Sequence, residues 1–141
     1  MNTTEIDTQT DEDIAIETSL IESEETKKKL LSKVDEEGQV IVNCKIAATF
    51  FDNVARIWET TFLIERKSNH RSLLIYIEGI TKYPVWTEIP VRTTLYFRLI
   101  FSALPKSCKV FDFLEQIPEP GGFNISNIKR TRTDVYHVDL T

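Results

Sequence analysis

His137 and Asp139 are the first pair of residues whose types could do chemistry. One residue separates them, so on a strand both side chains point to the same face. A carboxylate beside an imidazole can orient a general base or a metal ligand. No third ligand and no nucleophile follows at a local spacing, and terminal strands often carry polar pairs that face water. We therefore expect neither a catalytic nor a metal site here.

The stretch PEPGGF, residues 118–123, raises a second chemical question, because paired glycines can let backbone N–H groups approach a phosphate. A phosphate loop continues into a helix and carries a Lys with a Ser or Thr. Here a strand-like run, FNISNI, follows Gly121 and Gly122. Pro118 and Pro120 also remove two backbone donors. The pattern favours a rigid corner between two strands.

The two cysteines are the remaining candidates for chemistry. A thiolate at Cys108 would be favoured by Lys106 and Lys109, but no histidine lies near it in sequence. Both Cys108 and Cys44 lie in apolar contexts, where a free cysteine behaves as a small hydrophobe. The chain also lacks CxxC, HExxH and GxSxG motifs. We expect no enzyme activity and no cofactor, and the sequence leaves open whether the cysteines pair.

Two groups of residues are candidates for binding a partner. Lys129, Arg130 and Arg132 form the densest basic cluster, which at a hairpin tip can contact phosphates or an acidic segment. The isoelectric point of 5.1 and the lack of a basic–aromatic stripe argue against nucleic acid. Tyr83 and Trp86 lie in a segment that Pro84 and Pro90 restrict to a sheet edge, where a partner strand can add. In a small β domain, however, aromatic residues more often belong to the core.

Charge is distributed unevenly along the chain. Residues 1–26 contain nine acidic residues and no Lys or Arg, which leaves 13 acidic and 17 basic residues in the rest of a chain whose net charge is −5. Residues 1–22 also lack aromatic residues, so they cannot bury enough surface to offset the entropy of ordering. The pattern predicts a disordered acidic arm at residues 1–22, attached to a mildly basic body.

The body begins with a short helical pattern and continues with strands. Residues 23–38 have a Ser cap, early glutamates, later lysines and a terminal Gly38, which predicts a short helix and linker. Residues 39–141 alternate between apolar and polar positions and predict a β domain of about seven short strands. The clearest alternation runs over residues 94–101. We expect a β-sandwich, with a barrel as the alternative. The apolar face of the best strand comprises Leu95, Phe97, Leu99 and Phe101.

The run LYFRLIFSALPK, residues 95–106, followed by VFDFLE, residues 110–115, resembles an immunoglobulin-like module of uncharacterised bacterial proteins. In that module a Phe/Leu strand ends in a Leu-Pro-Lys turn, and a Phe-Asp-Leu-Ile-Glu segment follows. The resemblance covers roughly residues 58–128. It implies an immunoglobulin-like β-sandwich in a bacterial protein, and it supplies no catalytic residue.

These observations favour a non-catalytic protein-interaction module that binds an unknown partner protein through its β-sandwich surface and its acidic arm. The alternative is a nucleic-acid-associated accessory protein that uses the basic turn at residues 129–132. The N-terminal residues lack the cationic and apolar regions of a secretory signal, and no apolar run reaches the length of a membrane helix. We therefore expect a cytoplasmic protein with no membrane contact.

Overall fold

The computed structural model of the protein describes residues 38–141, and within that range it contains nine β-strands and no helix. The expected acidic arm and nearly all of the expected helix and linker lie outside the described residues. The prediction of a mainly β domain is confirmed. The strands are β1 Val40–Ala48, β2 Asn53–Ala55, β3 Thr61–Glu65, β4 His70–Glu78, β5 Thr87–Ile89, β6 Thr93–Phe101, β7 Val110–Glu115, β8 Asn124–Lys129 and β9 Val135–Asp139.

Seven strands form one sheet in the order β8-β7-β3-β4-β6-β1-β9, while β2 and β5 form a separate pair. Neighbouring strands are antiparallel except β1 and β9, which run parallel. The first part of β4 pairs with β3 and the last part with β6, with a register shift between Leu74 and Tyr76. A strand that changes partner at such an irregularity turns a corner in its sheet. The sheet therefore curls towards a barrel, the alternative that the strand pattern left open.

Aromatic contacts across the core hold the curled sheet together. Phe111 on β7 meets Tyr136 on β9 edge-on, with ring centroids 5.0 Å apart. Phe113 meets Phe101 on β6 in the same way at 6.1 Å. Neither pair belongs to neighbouring strands in the sheet order. The contacts therefore join the two halves of the sheet around one apolar core.

Strand β6 confirms the apolar face that the sequence predicts. Phe97, Leu99 and Phe101 are at most 5% exposed, whereas Tyr96 on the opposite face is 69% exposed. Alternation gives this result because successive side chains of a strand point to opposite faces. A substitution on the buried face of β6 can therefore be compared with one on its exposed face.

The two cysteines are free and buried, so they do not form a disulfide with each other. Cys44 lies on β1, and burial raises the pKa of its thiol to about 12. Burial also raises the pKa of the Cys108 thiol, and the neighbouring carboxylate of Glu65 acts in the same direction. Both side chains are therefore neutral thiols near pH 7, which disfavours a nucleophilic role for either.

Candidate functional site

Two connections beside the short β2–β5 pair bring aromatic and cationic side chains together at the surface. Ala55 pairs with Thr87, so the residues that follow β2 lie next to those that precede β5. The backbone N–H of Ile57 donates to Thr81 at 2.9 Å, and its carbonyl accepts from the N–H of Tyr83 at 2.9 Å. These bonds fix the two connections against each other. The surface that results, which we call the aromatic–arginine cluster, consists of Arg56, Trp58, Tyr83 and Trp86.

The guanidinium of Arg56 is the centre of the cluster. Its central carbon lies 3.7 Å from the ring centre of Trp86, 4.6 Å from that of Tyr83 and 5.9 Å from that of Trp58. The rings of Trp58 and Tyr83 stack on each other, with centroids 3.8 Å apart. Arg56 also donates to the carbonyl of Pro84 at 3.0 Å. Cation–π contacts and this hydrogen bond hold the four side chains in one arrangement.

The cluster remains partly open to solvent. Tyr83 is 46% exposed and Trp86 is 51% exposed, so the interpretation that these aromatic residues belong to the core is wrong. Tyr83 and Trp86 were candidates from the sequence and the structure brings them together, joined by Trp58. Tyr96 lies on β6, where it pairs with Lys45 of β1, and it is not part of the cluster. Arg56 was not a candidate, because an isolated arginine in a sequence is most often a solvated surface residue.

A groove of about 310 Å³ lies beside the cluster. Its lining includes Arg56 and Trp86 of the cluster together with Glu119, Pro120 and Gly121. The PEPGGF stretch lies between β7 and β8, as the corner interpretation predicts, and its single carboxylate, that of Glu119, approaches the Arg56 guanidinium at 3.7 Å. The volume lies at the small end of the range for ligand pockets. The apolar part of the lining includes Ile46, Ala55, Ile117, Phe123 and Leu140.

Glu115 connects two backbone segments that line the groove, one at Trp58 and one at Phe123. One carboxylate oxygen accepts the backbone N–H of Trp58 at 3.0 Å, and the other accepts that of Phe123 at 3.1 Å. Gly122 packs so closely that a Cβ there would lie 2.5 Å from the Glu115 carbonyl oxygen, which requires glycine. Burial raises the pKa of the Glu115 carboxyl, although the two N–H donors act in the opposite direction.

Glu115 is expected to make the protein less stable as pH rises through its titration. Its folded pKa lies above the ordinary value of 4.5, so the folded state binds more protons than the unfolded state in the interval between the two. The free energy of unfolding, measured with urea and taken relative to Glu115→Gln, should therefore fall as pH rises across this interval and then level off. A difference that rises with pH would show that the two N–H donors outweigh desolvation.

The basic turn after β8 contains two kinds of cation. Lys129 and Arg132 are exposed. Arg130 instead donates to both carboxylate oxygens of Asp134, at 2.6 and 3.0 Å, and to two backbone carbonyls in residues 105–108, at 2.7 and 3.1 Å. These bonds occupy four of its five donors. Arg130 is therefore part of the structure of the turn, and a phosphate would meet only the other two cations.

Each of the two histidines lies beside a group that could act with it in catalysis. The pair His137 and Asp139 faces water, whereas the hydroxyl in the pair His70 and Ser72 is enclosed. His137 and Asp139 are exposed on β9, and hydrogen bonds from the Thr141 hydroxyl and from its backbone N–H, the latter at 3.0 Å, lower the pKa of the Asp139 carboxyl. The ring of His70 contacts the hydroxyl of Ser72 at 3.0 Å. That hydroxyl is completely buried, so a substrate cannot reach it in this arrangement.

The described residues contain no group of three or more His, Cys, Asp or Glu placed to hold a metal ion. No helix in the same range is long and apolar enough to cross a membrane. A scan against protein-family models matched no family, and searches of curated proteins and of solved structures returned no match. A functional assignment therefore depends on the geometry of the surface.

Proposed function

We propose that this chain is a non-catalytic protein-interaction module whose binding surface is the aromatic–arginine cluster with its adjoining groove. The observation that carries the proposal is that Tyr83 and Trp86 stay about half exposed while Arg56 fixes their positions. The proposal includes the immunoglobulin-like β-sandwich class that residues 58–128 resemble, and a cytoplasmic location.

The chemistry of the cluster is that of a protein-binding hot spot. Trp, Tyr and Arg are the residues enriched at positions where truncation weakens binding most. Side chains that are already held in place lose little conformational entropy when a partner covers them. The groove beside them is small and is lined by apolar side chains together with the polar Glu119 and Asn53, which suits one inserted side chain of a partner better than a large ligand.

The alternative function, binding of nucleic acid at residues 129–132, has less support from the geometry. Four of the five N–H donors of Arg130 bind Asp134 and backbone carbonyls, so only one donor is free for a phosphate. Tyr136, an aromatic residue whose hydroxyl accepts the Thr131 N–H in this turn, is buried and so is not exposed for stacking on a base. We therefore assign the main binding role to the aromatic–arginine cluster.

Replacing Trp86 with Ala is the experiment that tests this function. The partner is first identified by quantitative capture from the native host with the full chain, and its affinity is then measured by calorimetry. Trp86→Ala should weaken binding by about tenfold or more, as truncation of a hot-spot residue does. Tyr96→Ala removes an exposed aromatic residue outside the cluster and should bind as the unmodified chain does. Equal affinity of the Trp86→Ala and unmodified proteins would overturn the proposal.

A further inference from the structure

Three connections meet at the end of the domain away from the aromatic–arginine cluster, and we call this surface the basic end. The carbonyl of Ala103 lies 3.1 Å from a ring nitrogen of His70, which joins one connection to the start of β4. The backbone N–H of Arg130 donates to the carbonyl of Lys109 at 2.9 Å, which joins the connection between β8 and β9 to the connection between β6 and β7. The basic end consists of residues 66–69, 102–109 and 129–134.

Cations at the basic end exceed the anions that could neutralise them. Asp112 pairs with Arg66, and Asp134 pairs with Arg130. Glu65 is only 6% exposed and accepts a hydroxyl hydrogen bond within its own turn. The remaining cations come from separate parts of the sequence, are exposed, and form no ion pair with another residue of the described range. They are Lys67, Lys106, Lys109, Lys129 and Arg132.

The chain enters the β domain at this same end. The backbone N–H of Ile41, at the start of β1, donates to the carbonyl of Asp134 at 2.9 Å, directly beside the β8–β9 turn. Ile46, near the end of β1, lines the groove at the other end of the domain. Gly38 therefore lies close to the basic end and far from the aromatic–arginine cluster. Whatever precedes Gly38 starts next to the unpaired cations.

The residues that precede Gly38 have the complementary charge. Residues 1–26 contain nine acidic residues and no Lys or Arg. The acidic triplet at residues 11–13 is separated from Gly38 by about 25 residues, which can span at most about 85 Å. Strand β1, which runs between the two ends, is only about 30 Å long. Covalent geometry therefore allows the acidic residues to reach every cation of the basic end.

We propose that the basic end binds the chain's own acidic residues 1–26. Each exposed ion pair contributes little, but tethering gives the segment a high effective concentration at a surface with five cations that form no ion pair within residues 38–141. The contact is electrostatic and is screened beyond about 8 Å at physiological ionic strength. It is therefore reversible, and it prevents other polyanions from using the basic end. It is independent of the protein partner proposed for the cluster.

A spin label in the acidic segment tests the contact in the full chain. Ala15→Cys supplies the attachment site, because Cys44 and Cys108 are buried thiols. In the NMR spectrum the label should broaden the amide signals of Lys106 and Lys129 about threefold more than that of Trp86, and about 0.5 M salt should remove the difference. Mixing labelled, isotope-silent chain with unlabelled, isotope-enriched chain controls for contacts between molecules.

Matched charge variants identify the surface. Lys106→Gln/Lys129→Gln should remove the preferential broadening, whereas Lys45→Gln/Arg98→Gln, which removes two exposed cations from β1 and β6, should leave it unchanged. Equal broadening at both ends of the domain, or broadening that does not respond to salt, would overturn the proposal. A basic end that serves nucleic acid instead would show no preferential broadening, while an added oligonucleotide would shift the Lys106 and Lys129 signals.

Discussion

Phe101→Ala is expected to lower the free energy of unfolding by about 3–5 kcal/mol, which is a large part of the stability of a domain of this size. Phe101 is completely buried and packs edge-on against Phe113 from the opposite half of the sheet. Removing the ring loses its transfer free energy and leaves a cavity that the paired strands around it cannot close. Urea unfolding followed by circular dichroism measures the loss.

Tyr96→Ala is the control, because it removes an aromatic ring from the same strand on the face that is open to solvent. Its effect should stay within about 0.5 kcal/mol. Similar losses for the two variants would mean that β6 does not present one face to the core. The contacts between the halves of the sheet would then not be what holds the fold together.

Arg130→Met is expected to cost about 2–4 kcal/mol, the second largest effect. The substitution keeps most of the apolar side chain but removes the four hydrogen bonds that the guanidinium donates to the Asp134 carboxylate and to two carbonyls of residues 105–108. The carboxylate also accepts the hydroxyl of Tyr136, a core residue, at 2.9 Å. Leaving a partly buried carboxylate without its cation costs more than the ion pair itself contributes.

A double-mutant cycle separates these effects. Asp134→Asn in the Arg130→Met background should recover part of the loss, because the unpaired charge is removed. Arg132→Met, two positions further along the same turn and exposed, should be close to neutral. An Arg130→Met protein as stable as the Arg132→Met protein would show that Arg130 is only a surface cation. Arg130 would then be available to contact a phosphate together with Lys129 and Arg132.

The sequence predicts the strands that obey a local rule. The alternation of β1 and β6 is visible because each strand has one buried face, and PEPGGF marks a corner because its prolines and glycines restrict the backbone locally. The parallel pairing of β1 with β9 is not visible, because it joins residues almost a hundred positions apart. The curl at β4 is likewise not visible in the sequence, because it depends on β3 and β6 pairing with different parts of that strand.

The candidate site was only partly predictable for the same reason. The prolines around Tyr83 and Trp86 predict an edge strand there, but the chain turns at Tyr83 and Pro84, and strand β5 begins only at Thr87. Their partner Arg56 is nearly thirty residues away, and the pairings of Ala55 with Thr87 and of Ile57 with Lys82 bring it to them. The density of basic residues at 129–132 is visible in the sequence, but the turn hydrogen bonds that occupy Arg130 are a property of the folded chain.

Photo-crosslinking in the native host tests the proposed binding surface most directly. A photoreactive phenylalanine analogue at Val85, which is 58% exposed beside Trp86, leaves the cluster intact. The same analogue at Tyr96 reports on a face outside the cluster. A binding surface at the cluster predicts a crosslink from position 85 to one defined protein, lost when Trp86→Ala is added, and none to that protein from position 96. A crosslink to the same protein from position 96 but not from position 85 would contradict it.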